Sequence, residues 1–104
     1  MAALWGGTAF NWRTGPAQYI TPKRPARFWY ESYSNSARRF REIASKAGAD
    51  VLLSNHSNYD GSKSKLPALA RRKAGEQHPY VIGSESVSRF LTVAEECATA
   101  GPLW

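Results

Sequence analysis

Apolar runs at the start and in the middle of the chain predict two strands. Residues 2–5 are apolar and are followed by two glycines, and residues 50–54 read Asp-Val-Leu-Leu-Ser. Because this second run does not alternate with polar residues, it is typical of a strand that is covered on both faces in a parallel sheet. The polar segment 55–61, which follows directly, is predicted to be a loop.

Apolar residues spaced three and four apart predict three helices, over 27–47, 63–73 and 85–99. In the middle helix, Pro67 predicts a start near Ser64, because a proline ring fits the first helical turn. The predicted apolar stripes are Trp29, Tyr33, Ala37, Phe40, Ala44 and Ala47 in the first helix, Leu66, Leu69 and Ala70 in the second, and Val87, Phe90, Leu91, Ala94 and Ala98 in the third.

The remaining segments complete an α/β order: residues 6–26 are predicted to be a long loop, and residues 79–83 a short extended segment. The first strand, first helix and second strand form one crossover unit. Two strands have no independent stability in water. We therefore expect either that helices cover both sides of a minimal sheet, or that the rest of the sheet is missing from this chain.

Length and composition limit the classes of protein that fit. A chain of 104 residues forms one small domain, and no apolar run approaches the ~20 residues of a membrane span. We expect no signal peptide, because the first residues have no basic segment. Cys97 is the single cysteine, so no internal disulfide forms, and its place near an apolar helix face predicts a small buried side chain.

The net charge of +6 resides entirely in residues 1–49. An aromatic and basic stretch over 27–41, with Arg38, Arg39 and Arg41, has the residue types of a nucleic-acid-binding surface. The same residues also fit an amphipathic helix with a solvated basic face. A small basic module that binds nucleic acid, or another partner, through this helix is therefore the alternative function.

One residue of the sequence lies where a ligand-binding or catalytic side chain is expected. His56 follows the carboxyl end of the predicted buried strand, where open α/β sheets place their ligand sites, although it also fits an ordinary loop histidine. Asp60 and Gly61 fit a turn or cap before the next helix. The sequence has no motif of a catalytic nucleophile, and one cysteine with two histidines cannot form a closed structural zinc site. We therefore predict no catalytic residue in this chain.

Five motifs occur in an order that resembles the C-terminal segment of metallo-β-lactamase-fold hydrolases, nearest to the third subclass of metallo-β-lactamases. The resemblance extends over nearly the whole chain and is weakest over 9–26. The motifs are ALWGGT at 3–8, RRFREIASKAGADV at 38–51, LLSNHSNYDG at 52–61, KLPALARRKAGEQHPYVIG at 65–83 and VSRFLTVAEECA at 87–98.

The resemblance implies a four-layer αββα sandwich that binds up to two zinc ions. His56, in its Ser-Asn-His context, matches the histidine that binds the second zinc in that family. A zinc-bound hydroxide is the nucleophile of these enzymes. Asn55 and Asp60 belong to the same motif, and our hypothesis is that they support the ligand or order its loop.

The departures from the family are equally informative. The H-x-H-x-D-H motif, which supplies most of the metal ligands, does not occur in this sequence. Residues 1–104 are thus interpreted as a partial metallo-β-lactamase-like domain, a C-terminal segment without the N-terminal half. Whether the chain is an enzyme stays open, and we expect no hydrolase activity and weak zinc affinity in isolation.

This interpretation also specifies partners. The expected partner is the missing N-terminal half or a complementary chain, and the complete domain would act on a small-molecule substrate. We expect no interaction with a membrane, and nucleic acid is not favoured as a partner. The sheet face that would meet the missing half should be exposed and apolar. Neither the substrate nor the cellular compartment follows from the sequence.

Overall fold

A computed structural model describes residues 1–7, 9–14 and 19–103. Parts of the predicted loop, at 8 and 15–18, lie outside the described residues, as does residue 104. In chain order the elements are strand β1 (Ala2–Trp5), helices α1 (Asn11–Thr14) and α2 (Ala26–Lys46), strand β2 (Val51–Ser54), helices α3 (Ser57–Asp60), α4 (Ser62–Arg71) and α5 (Ser84–Ala100), and a 3-10 turn (Gly101–Leu103).

The α/β class is confirmed, since the two predicted strands and the three longer helices are present and the strands pair in parallel. Two predictions of uninterrupted loops are wrong. Single-turn helix α1 lies within 6–26, where Thr21 and Arg24 also form a small antiparallel bridge, and single-turn helix α3 lies within 55–61. The extended segment at 79–83 contacts the sheet through one bridge between Val81 and Val51.

The core lies between one face of the sheet and helices α2 and α5. Ala3 of β1 and Leu52 of β2 are register partners, and each is 4% exposed. They pack with small and branched side chains of α2, of the turn that follows it and of α5, which are Ala44, Ala49, Val87 and Leu91. Burial of these apolar surfaces is the main force that holds the sheet to the helices.

The prediction that β2 is covered on both faces is wrong. Val51 and Leu53 point to the face opposite Leu52 and are only half-buried, while Leu4, the register partner of Leu53, is 62% exposed. We call this surface, formed by Ala2, Leu4, Val51 and Leu53, the open sheet face. The alternative in which helices cover both sides of a minimal sheet therefore does not hold for the described residues.

The stripes of α2 and α5 are largely as predicted. Val87, Leu91 and Ala98 of α5 are buried, and α2 buries Ala37 and Ala44. In α2 the stripe also includes Tyr30 and Ser34, whereas Ala47 is exposed because the helix ends at Lys46 and the chain reverses at Gly48, with φ of +65°.

Cys97, which was expected to be buried, is exposed.

Helix α4 differs most from its prediction. It begins at Ser62, so Pro67 falls in the second turn, where its missing N–H leaves the carbonyl of Lys63 without its helical donor. No residue of α4 is buried, and Leu66 is 57% exposed. The helix is instead held by Tyr80, whose hydroxyl lies 2.9 Å from Ser62 Oγ.

The fold is thin for its length. Its principal extents are 57 × 30 × 18 Å. The shortest extent, 18 Å, corresponds to the thickness of one layer of helices on one sheet. The accessible surface is 7222 Å², whereas a compact monomer of this mass exposes about 5,800 Å². The excess is about 1,400 Å² of surface that a compact domain would cover. Of the helices in the described part, none is long and apolar enough to cross a membrane.

Candidate functional site

The loop after β2 presents His56 to solvent at the carboxyl end of the strand. His56 has an extended backbone and precedes the single turn of α3, and its side chain is exposed. The imidazole ring meets the edge of the Tyr59 ring with centroids 5.8 Å apart. Within the described part of the chain, no hydrogen bond holds the imidazole nitrogens, so both are accessible to a ligand.

Asp60 ties the two ends of this loop together. Its side chain is buried, and Oδ2 accepts a hydrogen bond from the Ser54 amide at 3.0 Å while Oδ1 accepts one from the Ser62 amide at 2.8 Å. Hydrogen bonding from the Ser62 side chain, and then from the Ser54 amide, holds the pKa of Asp60 below its usual value. The carboxylate therefore fixes the path of the segment that carries His56.

Asn55 lies beside the end of the other strand. Its Oδ1 accepts a hydrogen bond from the Ser54 hydroxyl at 3.3 Å. A Cβ on Gly6, which follows β1, would lie 3.9 Å from Asn55 Cγ. Asn55 is exposed and lies near Gly6, just beyond the end of β1. Both residues that the sequence hypothesis singled out beside His56 lie in the segment around it.

The described residues do not fit a complete zinc site. Across residues 1–7, 9–14 and 19–103, no three His, Cys, Asp or Glu side chains come together in a way that could hold a metal ion. His56 offers one donor, and both oxygens of Asp60 are already used by backbone amides. A catalytic zinc needs three protein ligands.

Two of the three arginines of the alternative function are paired with helix α5. Arg38 Nε lies 2.7 Å from Glu95 Oε1, and Arg41 Nη1 lies 2.8 Å from Glu95 Oε2. The hydrogen bond that Arg38 donates to Glu95 raises the pKa of Arg38. Arg39 is exposed. Because Glu95 neutralises part of this basic face, these contacts do not favour the nucleic-acid alternative, which stays a prediction.

A cluster of aromatic rings was not foreseen from the sequence. Phe10 and Trp12, which lie in the predicted loop, meet Tyr30 and Tyr33 of α2 with ring centroids 5.0 to 5.8 Å apart. Trp5 extends the cluster by an edge contact with Tyr33 and a stacked contact with Phe40. The available signal was the density of aromatic residues between 5 and 40.

No protein-family model matches the chain, and no curated protein or solved structure is significantly similar to it.

Proposed function

We propose that this chain is the C-terminal part of a metallo-β-lactamase-like zinc hydrolase, in which His56 is one ligand of the second zinc. The other metal ligands would come from the N-terminal half of that fold, carried by a longer chain or by a separate one. The partial αββα sandwich belongs to this proposal, with the two strands and the helix layer of α2 and α5 as one side of it.

The exposure of His56 and its place after the strand are the main support for the proposal. Its imidazole is exposed at the carboxyl end of a parallel strand, where α/β sheets hold their ligands. The buried carboxylate of Asp60 fixes the backbone on both sides of it. A solvent-facing histidine on an ordered loop is suited to metal binding, because little conformational freedom is lost when the metal binds.

The open sheet face supports the second half of the proposal. Leu4 and Leu53 form an apolar surface, and the chain as a whole exposes about 1,400 Å² more than a compact monomer of its mass. One partner in a standard protein interface buries about 800 Å². The excess of the whole chain is larger than this area, and Leu4 on the open sheet face is one of the exposed apolar residues that contribute to it.

Calorimetric titration with zinc tests this proposal. The chain would be titrated alone and after assembly with an N-terminal metallo-β-lactamase half that carries the H-x-H-x-D-H motif. We expect weak binding by the chain alone and tight binding of up to two zinc ions by the assembly. His56→Ala should remove one of these ions or weaken it by about tenfold or more.

His78→Ala is the matched control, because this histidine lies in another loop and its Nδ1 accepts a hydrogen bond from the Tyr80 amide at 3.3 Å. The control should leave zinc binding by the assembly unchanged. Tight stoichiometric binding by the isolated chain, or equal effects of the two substitutions, would contradict the proposal.

A further inference from the structure

The aromatic cluster ends in an open groove near the start of α2. The groove has a volume of about 550 Å³ and is lined by Tyr19, Thr21, Lys23, Arg24 and Trp29. A smaller apolar extension of about 110 Å³ shares two of these residues, Tyr19 and Trp29, and reaches Trp12. We call the two together the Tyr19–Trp29 groove.

The walls of the groove are held in place without a ligand. Trp29 Nε1 donates a hydrogen bond to the Tyr19 carbonyl oxygen at 3.0 Å. Thr21 and Arg24 exchange two backbone hydrogen bonds of 3.0 Å each, and the Arg24 amide also reaches Thr21 Oγ1 at 3.1 Å. Pockets that are formed in advance bind small molecules with a lower ordering cost.

Aromatic surface lines one side of this groove. The rings of Trp12 and Trp29 are nearly parallel, with an interplanar angle of 22° and centroids 6.3 Å apart, and Tyr19 meets Trp29 edge-on. Exposed faces of tryptophan and tyrosine are favourable surfaces for another flat ring. This lining selects a planar aromatic ligand over an aliphatic one.

Two cations line the other side. Lys23 and Arg24 are exposed and form no ion pair with a carboxylate of the described residues. The Arg24 guanidinium also lies 5.8 Å from the centroid of the Phe28 ring. None of the described residues that line the groove is acidic. The local charge therefore favours an anion.

From these observations we infer that the Tyr19–Trp29 groove binds a small planar aromatic molecule that carries an anionic group. The ring lies against Trp29 and Tyr19, and the anionic group lies near Lys23 and Arg24. This inference is independent of zinc and of His56, and the volume is within the range of small-molecule sites.

Titration with naphthalene-2-carboxylate, followed by the tryptophan indole N–H signals in ¹H–¹⁵N NMR spectra, tests the inference. We expect saturable shifts of the Trp12 and Trp29 signals, assigned with Trp→Phe variants. Cyclohexanecarboxylate, an anion without an aromatic ring, and naphthalene-2-methanol, a neutral aromatic, should each bind at least tenfold more weakly.

Two substitutions and two controls make the result decisive. Lys23→Ala combined with Arg24→Ala should weaken naphthalene-2-carboxylate binding at least tenfold, whereas Lys46→Ala, at the far end of α2, should not change it. Leu4→Ser removes an apolar side chain from the open sheet face and should leave binding intact. The inference is overturned if the double substitution has no effect, if Leu4→Ser abolishes binding, or if the Trp29 signal does not move.

Discussion

Leu4 of β1 and Leu53 of β2 are register partners on the face of the sheet that α2 and α5 do not cover. Leu4 is 62% exposed, and its neighbours on this face are Ala2 and Val51. Ala3 and Leu52, which precede Leu4 and Leu53 in their strands, are buried. The alternation of side chains in a strand therefore places a buried and an exposed apolar pair next to each other.

Replacement of Leu4 by arginine should reduce self-association of the isolated chain. If two copies meet through the open sheet face, the substitution removes one buried leucine from each copy at about 1.5 kcal/mol or more apiece, which weakens the dimer by about a hundredfold. Sedimentation velocity over a concentration series measures this effect. Leu66→Arg is the control, because Leu66 is similarly exposed but lies on α4. Equal effects of both substitutions would indicate general solubilisation instead.

Asp60 should make the stability of the fold dependent on pH in the acidic range. Its pKa is lowered in the folded state, so the unfolded chain binds more protons once the pH approaches the unfolded value of about 3.9. The stabilisation from Asp60 is therefore fully present above that value and is lost as the pH falls through the folded pKa. Asp60→Asn should remove this contribution.

Urea unfolding of both proteins between pH 3 and pH 7 measures the difference. We expect a constant loss of about 2 kcal/mol above pH 5, because charged hydrogen bonds to two amides are replaced, and a smaller loss at pH 3. Glu96→Gln is the control, since it makes the same charge change at an exposed position on α5. A loss that does not vary with pH would contradict the assigned role of the carboxylate.

Gly101 should not tolerate a methyl group. Its backbone is helical, with φ of −52° and ψ of −43°, so alanine fits its conformation. A Cβ at this position would, however, overlap the ring of Tyr30, which is only 4% exposed. We expect Gly101→Ala to cost about 1–3 kcal/mol, which thermal unfolding would detect as a lower Tm. Gly6→Ala should be nearly neutral, because the nearest side-chain atom lies 3.9 Å away.

Cys97 should react with a thiol reagent in the native protein. Its side chain is exposed on α5, and it is the single cysteine of the chain. Incubation with 5,5′-dithiobis(2-nitrobenzoate) at neutral pH should release one equivalent of chromophore per chain without denaturant. If the thiol reacted after addition of urea and not before, α5 would be rotated relative to the arrangement described above.

The spacing of apolar residues was sufficient where burial depends on one helix face. Val87, Leu91 and Ala98 were predicted to face the core and do so, because their positions on α5 follow from helical geometry alone. The location of His56 after β2 was also predicted correctly, because the apolar run marked the strand and the polar residues after it marked where the strand ends. Its metal-binding role depends on residues outside this chain and stays a proposal.

Burial that depends on distant partners could not be predicted. Ser34 is buried because its hydroxyl lies 3.0 Å from that of Thr99, a residue 65 positions away that the spacing within α2 cannot reveal. Leu66 lies on an amphipathic helix, yet nothing in the described chain covers it. The Tyr19–Trp29 groove could not be predicted either, because it depends on the conformation of a segment whose prolines indicated a loop.

The thinness of the fold has a consequence for how cooperatively it unfolds. The slope of unfolding free energy against urea concentration is proportional to the surface exposed on unfolding. Because the folded chain already exposes about 1,400 Å² more than a compact monomer, this slope should be about an eighth lower than its length implies. A partner that covers the open sheet face would steepen the urea transition as well as shift its midpoint, so the steepness itself reports whether the fold is complete.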